Sequence, residues 1–184
     1  MNGVHVALVG LMGAGKTTVG RRAARILGRP FVDADEAFIP RYGRTVAEVF
    51  ADGGEAAFRR LEADLLGEIL DVGTPLVVAT GGGVVVTEGN RRRLAQPDVQ
   101  VVYLHAEPSF LASRAAHKAD RFLLAGNDPR EVLSRLYAER DGLYRSVATD
   151  VVEVASFHEW GSQPKKAMAE RVAALVRSRG EGAA

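Results

Sequence analysis

Short hydrophobic runs alternate along this chain with longer segments whose hydrophobic positions recur every three or four residues. The runs are rich in Val, and each is too short to form an independent helix. Their near-continuous hydrophobicity is typical of parallel strands that are covered on both faces. The pattern therefore predicts five strands, Val4–Val9, Phe31–Asp33, Leu76–Thr80, Val99–His105 and Val151–Ala155.

The segments between these runs carry helix signals. Thr45 followed three residues later by Glu48 has the spacing of a capping box, which predicts the start of a helix. Helices are predicted over Lys16–Leu27, Glu55–Leu70, Asp128–Val147 and Pro164–Arg177. Strands that alternate with helices indicate an α/β fold with right-handed crossovers.

Two further segments, Ala116–Asp128 and Ala155–Gln163, are predicted to be loops, and loops of that length are often lids or binding segments.

Composition narrows the class of protein. The 184 residues fit one domain, and 47% hydrophobic with 26% charged residues is a globular balance. A net charge of +1 gives no support for nucleic-acid or membrane binding. The chain has no Cys, which excludes disulfides, thiolate metal sites and Cys nucleophiles. Neither a signal peptide nor a membrane-spanning run is recognisable, so we expect a cytoplasmic protein, and we expect a monomer.

The strongest motif lies directly after the first predicted strand. Gly10–Thr17 matches the phosphate-binding pattern G-x-x-x-x-G-K-[ST] in full, and a predicted helix follows it. Glycines allow backbone N–H groups to approach phosphate oxygens, and the helix N-terminus adds partial positive charge. Lys16 can reach the β- and γ-phosphates, and Thr17 can offer its hydroxyl to Mg²⁺. The motif predicts a nucleoside triphosphate but leaves the phosphate acceptor open.

A GTPase would require a guanine-reading Asn-Lys-x-Asp motif after a strand. His117-Lys118-Ala119-Asp120 has His in place of Asn and lies well beyond the predicted strand Val99–His105, so we interpret it as a coincidence.

Candidate acceptor groups follow the second and third strands. Asp33 and Asp35 end the second strand, where ligands gather in open parallel sheets. One carboxylate could serve Mg²⁺ and the other an attacking hydroxyl, or Asp35 could simply cap the next helix. Gly81, Gly82 and Gly83 end the third strand and indicate either close approach by another group or a plain turn.

Taken together, the motifs resemble the shikimate kinase family of small P-loop kinases. The resemblance spans roughly residues 4–155, in the order and spacing typical of that family. It rests on Gly10–Thr17, Asp33-x-Asp35, Phe58-Arg59-Arg60-x-Glu62, Gly81–Gly83, Arg121-x-Leu123-Leu124 and Arg140-x-x-Leu143-Tyr144. It implies a P-loop NTPase three-layer α/β/α sandwich with a parallel sheet in the order 2-3-1-4-5. A single domain over residues 1–184 would then carry an acceptor-binding segment at about 33–62 and a lid at about 114–126.

The resemblance also implies roles on the acceptor side. Asp35 resembles the carboxylate that holds and activates the acceptor 3-hydroxyl. Arg59 and Arg140 resemble the pair that clamps the shikimate carboxylate, a task suited to forked guanidinium donors. Gly81, Gly82 and Gly83 resemble the backbone wall beside the ring of the acceptor.

On the nucleotide side, Thr17 and Asp33 resemble the residues that hold or support Mg²⁺. Arg121 resembles the lid arginine that reaches the transferring phosphate, and Arg114 the arginine that covers adenine. The residues expected to bind ATP are Gly13, Ala14, Gly15, Lys16, Thr17, Thr18, Arg114 and Arg121, of which Lys16 and Arg121 also act in catalysis together with Asp35.

The sequence departs from the family pattern in three places. Phe122 and Gly142 stand where the family usually has Pro, and the loss of Pro would loosen the unfolded and open ensembles of each segment. The third departure is in the loop that precedes the last helix and contacts adenine in this family, because the corresponding segment, Ala155–Gln163, is longer than usual.

Two other functions stay open at this point: a kinase for another polyhydroxy acid such as gluconate, and a catalytically silent nucleotide-binding module.

Overall fold

Five parallel strands form one sheet in the order β2-β3-β1-β4-β5, as the resemblance implied. The structure is a computed structural model that describes residues 4–115, 128–160 and 162–181. The strands are β1 (His5–Val9), β2 (Phe31–Asp33), β3 (Val77–Ala79), β4 (Val99–His105) and β5 (Asp150–Glu153). Four of these lie within the predicted runs, and β5 begins one residue before its run and ends two residues earlier.

The central strand β1 fixes the register of the sheet. Val6 lies opposite Val77 of β3 on one side and opposite Gln100 of β4 on the other. Every residue of β1 and β4 is buried. Because successive side chains of a strand point to opposite faces, both faces of the sheet must be covered. The prediction of fully buried parallel strands is confirmed for β1, β3 and β4, whereas the edge strands β2 and β5 are only partly buried.

Helices lie between consecutive strands and after the last one. They are α1 (Lys16–Leu27), α2 (Ala34–Tyr42), α3 (Val46–Leu70), α4 (Glu88–Leu94), α5 (Pro108–Ala115), α6 (Pro129–Val147), α7 (Val154–Trp160) and α8 (Pro164–Glu181). The first and last of them pack against each other, and α6 packs on β4. None of the described helices is long and apolar enough to cross a membrane.

Helix α3 begins earlier than its hydrophobic periodicity predicts. Thr45 and Glu48 form the expected capping box, with the side chain of each bonded to the backbone N–H of the other. The helix is interrupted at Gly54, whose φ of 68° and ψ of −171° are not helical. The two predicted signals, the capping box and the run from Glu55, therefore belong to two helical segments joined at a kink.

The predicted loop Ala155–Gln163 is wrong over most of its length, because α7 occupies Val154–Trp160. This helix is held by packing rather than by strong local signals. Val154 is buried, Phe157 packs against the core, and the His158 ring lies 5.3 Å from that of Phe110 in α5. The predicted lid, with Arg121 and Phe122, falls almost entirely on residues 116–127, outside the described residues.

Candidate active site

The phosphate-binding loop between β1 and α1 depends on three glycines with positive φ: Gly10 at 141°, Gly13 at 88° and Gly15 at 103°. A Cβ at Gly10 would lie 2.6 Å from the backbone oxygen of Leu104, so no other residue fits there without moving β4. No side chain caps α1, whose N-cap is Gly15. The backbone N–H groups of the first helical turn are therefore available to an anion.

Lys16 is bonded to the backbone of the phosphate-binding loop. Its side chain is buried, and Nζ donates hydrogen bonds to the backbone oxygens of Gly10 at 2.7 Å and Leu11 at 3.1 Å. The ammonium group also acts electrostatically on Asp35, which lies at the start of α2. One cation thus stands between the nucleotide loop and the candidate acceptor side.

Asp33, and not Asp35, caps α2. The buried Asp33 carboxylate accepts hydrogen bonds through Oδ1 from the backbone N–H groups of Asp35 at 3.0 Å and Glu36 at 3.2 Å. The alternative that Asp35 serves as the cap is therefore wrong. The cap leaves the Asp35 side chain to face the cleft beside Gly81, where a Cβ would lie 3.2 Å from its Oδ1.

The protein around Asp35 raises the pKa of its carboxyl group. Desolvation is the largest cause, Lys16 opposes it, and the neighbouring charge of Asp33 adds to the rise. One side of Asp35 nevertheless stays open to solvent. A carboxylate that is accessible, partly desolvated and beside a phosphate-binding loop is well suited to accept a proton from a hydroxyl.

Side chains from several elements lie against the three glycines after β3. A Cβ at Gly81 would lie 2.9 Å from Glu62 Oε1, and one at Gly83 would lie 2.3 Å from Arg59 Nη1. The close approach predicted from these glycines thus comes from the protein's own side chains. Gly82 contributes its backbone oxygen, which accepts hydrogen bonds from Arg140 and Tyr144.

Two arginines from distant parts of the chain flank this glycine turn. Arg140 of α6 is buried, and its Nη1 donates to the Gly82 oxygen at 3.1 Å. Its Nε is buried and has no hydrogen-bond partner. Arg59 of α3 donates through Nη1 to Glu62 at 2.7 Å and through Nε and Nη2 to Glu55 at 3.2 and 3.1 Å. Two guanidinium groups on one glycine turn are the kind of donors that can bind a carboxylate or a phosphate.

A match to a family model identifies the chain. The model described as shikimate kinase matches residues 12–176. The chain belongs to the shikimate kinase family. The shikimate kinase of Nitrosococcus oceani is 41% identical over 179 residues, with 97% of this chain and 90% of that protein covered. That of Dechloromonas aromatica is 47% identical over 149 residues, covering 81% of this chain and 80% of the relative.

Solved structures agree with membership of the shikimate kinase family. A shikimate kinase from Acinetobacter baumannii in complex with shikimate has a TM-score of 0.85 and 36% identity, over 96% of this chain and 94% of that one. A gluconokinase from Sinorhizobium meliloti has a TM-score of 0.64 and 23% identity, over 97% and 98% of the two chains. The second likeness shows a shared fold only.

The structure brings together most of the residues that the sequence singled out. Asp35, Arg59 and Arg140 all lie against the glycine turn Gly81–Gly83, and the charge of Lys16 acts on Asp35. Arg121 and the side chain of Arg114 lie outside the described residues. Arg60, left open as a solvated side chain, is exposed.

Sequence reasoning gave no role to Glu62 and Tyr144. Glu62 lies at i+3 from Arg59 and is buried, which raises the pKa of its carboxyl group, although Arg59 opposes the rise. Tyr144 lies at i+4 from Arg140 and is fully buried. Their helical spacing from the two arginines was a visible signal, because residues at i+3 and i+4 share a helix face.

Proposed function

We propose that this member of the shikimate kinase family transfers the γ-phosphoryl group of ATP to the 3-hydroxyl of shikimate, which yields shikimate 3-phosphate and ADP on the route to chorismate and the aromatic amino acids. The observation that carries the assignment is the buried, unpartnered Nε of Arg140, whose guanidinium lies against the same glycine turn, Gly81–Gly83, as that of Arg59. A buried donor without a partner is costly unless a ligand supplies an acceptor. The carboxylate of shikimate is such an acceptor and carries the negative charge that pairs with a guanidinium, whereas the hydroxyl groups of a neutral polyol are uncharged acceptors.

Asp35 would orient the 3-hydroxyl and accept its proton as the oxygen attacks phosphorus. Its raised pKa supports this role, because the proton affinity of the carboxylate is greater than that of an exposed Asp. Gly81, Gly82 and Gly83 would line the ring of the acceptor with backbone alone, and the side chains of Glu62 and Arg59 lie against the first and the third of them.

The nucleotide would bind at the glycine loop. We propose contacts from Gly13, Ala14, Gly15, Lys16, Thr17, Thr18, Arg114 and Arg121. Lys16 is already held at the loop by two backbone oxygens, which the phosphate oxygens would replace as partners. Arg121 would stabilise the transferring group from the proposed lid at residues 114–126, and the acceptor segment would span residues 33–62 of a single domain.

Mg²⁺ fits the donor set of this loop. Mg²⁺ prefers few protein ligands, several waters and the phosphate oxygens of its substrate. Thr17 could supply a hydroxyl and Asp33 a carboxylate whose position is fixed by its capping bonds. Among the described residues no group of three or more His, Cys, Asp or Glu side chains could hold a metal without the nucleotide. When bound, the ion would neutralise charge on the transferring phosphoryl group.

Three further expectations stay predictions: that the protein is a monomer, that it acts in the cytoplasm and that it binds no nucleic acid. The near-neutral net charge supports the last of them.

Coupled ADP release tests the proposed function. We expect turnover with ATP, Mg²⁺ and shikimate, and only background rates with gluconate, AMP or no acceptor. Equal ADP release with and without shikimate would contradict the assignment, and gluconate-dependent release would favour a kinase of another polyhydroxy acid. Binding of ATP without turnover of any acceptor would indicate a silent nucleotide-binding module.

A further inference from the structure

The two carboxylates that accept hydrogen bonds from Arg59 differ in their exposure to solvent. Glu62 Oε2 accepts from Nη1 at 2.7 Å, and the Glu62 side chain is 10% exposed. Glu55 Oε1 accepts from both Nε and Nη2, and the Glu55 side chain is 60% exposed. The first ion pair is largely buried, with the Arg59 side chain 16% exposed. The second stands in solvent, where such pairs are weak and readily exchanged.

The Nε and Nη2 groups form the edge of a guanidinium that a carboxylate binds with two parallel hydrogen bonds. Glu55 occupies this edge with a single oxygen, so one carboxylate oxygen spans two donors. A ligand carboxylate that reached Arg59 could take the same edge with both oxygens. The geometry leaves room for exchange, because the Glu55 side chain is exposed and Glu55 directly follows the kink at Gly54.

We infer that Glu55 is a placeholder carboxylate: it occupies the Arg59 edge in the absence of acceptor and is displaced by the acceptor carboxylate. The inference rests on the proposed function for the identity of the acceptor. Glu55 holds the guanidinium beside Gly83 and competes with every incoming anion. It therefore sets the minimum strength with which a carboxylate must bind, and it acts on acceptor selection and not on phosphoryl transfer.

The charges around the cleft agree with this role. The charges of Asp35 and Arg140 both act on Glu62. Glu55 adds a third carboxylate at the side of Arg59 that faces solvent. Displacement of Glu55 into water keeps the number of carboxylates at Arg59 unchanged when an anionic acceptor arrives, because the incoming carboxylate replaces the outgoing one.

Glu55→Gln tests the placeholder, because glutamine keeps the length of the side chain and removes the competing charge. We expect the KM for shikimate to fall by about two- to fivefold, the size of a solvent-exposed ion pair, with kcat unchanged. A shikimate analogue without the carboxylate should show no change. Glu68→Gln is the matched control: Glu68 lies on the same helix as Glu55 and forms an exposed ion pair with Arg41 of α2, so its loss should leave both constants unchanged. An unchanged or higher KM in Glu55→Gln would overturn the inference and make Glu55 an orienting residue.

Calorimetric binding of benzoate, a simple cyclic carboxylate, separates this inference from the proposed function, because it needs neither ATP nor turnover. Tighter benzoate binding by Glu55→Gln than by the unmodified protein supports the placeholder even if shikimate is not phosphorylated. Equal binding, or no binding by either protein, overturns the placeholder even if shikimate is a good substrate.

Discussion

Asp35 shows at the scale of a single residue how a reactive group is kept available. The neighbouring Asp33 takes the capping role, so the Asp35 carboxylate stays directed to the cleft. Desolvation raises its pKa, and Lys16 limits the rise. A carboxylate in this setting binds a proton more strongly than a surface Asp and still remains within reach of a hydroxyl.

Asp35→Asn is expected to lower kcat by at least about a hundredfold, since an amide cannot accept the proton of the attacking hydroxyl. The dissociation constant for ATP should change little, because the loop Gly10–Thr17 is untouched. Steady-state kinetics and equilibrium ATP binding measure the two effects. A near-normal kcat would show that Asp35 has no part in the chemistry.

The same substitution should stabilise the fold at neutral pH. The pKa of Asp35 is raised in the folded protein, so ionisation favours the unfolded chain, and this loss of stability grows as the pH rises from the ordinary Asp value through the raised one. Asn cannot ionise, so the variant does not suffer this loss of stability. We expect a higher Tm for Asp35→Asn at pH 7, with the difference vanishing below about pH 3.9. A lower Tm at pH 7 would mean that the charge of Asp35 stabilises the protein.

Substitution by Ala is expected to affect acceptor binding at Gly83 and the stability of the fold at Gly10. At Gly83 the new Cβ meets the end of the flexible Arg59 side chain, which can move away, so the KM for shikimate should rise at least about tenfold with little loss of stability. At Gly10 the obstacle is the backbone oxygen of Leu104, and φ is 141°, so we expect a loss of about 1–3 kcal/mol in the free energy of unfolding. Chemical denaturation and acceptor kinetics distinguish the two; loss of stability in both variants would contradict the Gly83 prediction.

At the scale of the elements, helices with local signals were predictable and helices held by packing were not. The capping box of Thr45 and the periodicity after Glu55 both marked α3 correctly. Its kink was hidden, because the sequence does not say which glycine takes the left-handed conformation. The short α7 was missed for a different reason: it has no strong cap or period and depends on burial of Val154 and on contact with α5.

The kink of α3 gives a prediction with an internal control. Gly54 has a φ of 68°, so Gly54→Ala should destabilise the protein by about 1–2 kcal/mol. Gly67 lies in the regular part of the same helix with open space at its Cβ, so Gly67→Ala should stabilise it by about 0.5–1 kcal/mol. Urea unfolding measures both, and effects of the same sign would contradict the assigned kink.

On the scale of the whole molecule, the alternation of strands and helices was enough to predict the α/β class, and the spacing of the motifs to predict the family. The strand order could not be read from hydrophobic patterns alone, because burial on both faces is the same for every inner strand of a parallel sheet. The partners of each site residue were also beyond the sequence. That Glu55 and Glu62 share Arg59 between them depends on rotamers that only the folded structure specifies.

Arg59 and Arg140 belong to α3 and α6, and only the fold brings them to the same glycine turn. If both bind one acceptor carboxylate, Arg59→Lys should weaken shikimate binding by about 1.5–3 kcal/mol, since Lys lacks the two-pronged contact. Arg140→Lys, which keeps the buried charge near Gly82, should act on the same constant.

Steady-state kinetics of the two single variants and the double variant test this coupling. The double variant should lose less binding free energy for shikimate than the sum of the two single losses, because both arginines contribute to binding the same carboxylate. The dissociation constant for ATP should not move in any of the three proteins, since the nucleotide loop is separate from the turn. Strictly additive losses would mean that the two arginines bind different groups of the acceptor. No loss in either single variant would mean that the carboxylate binds elsewhere.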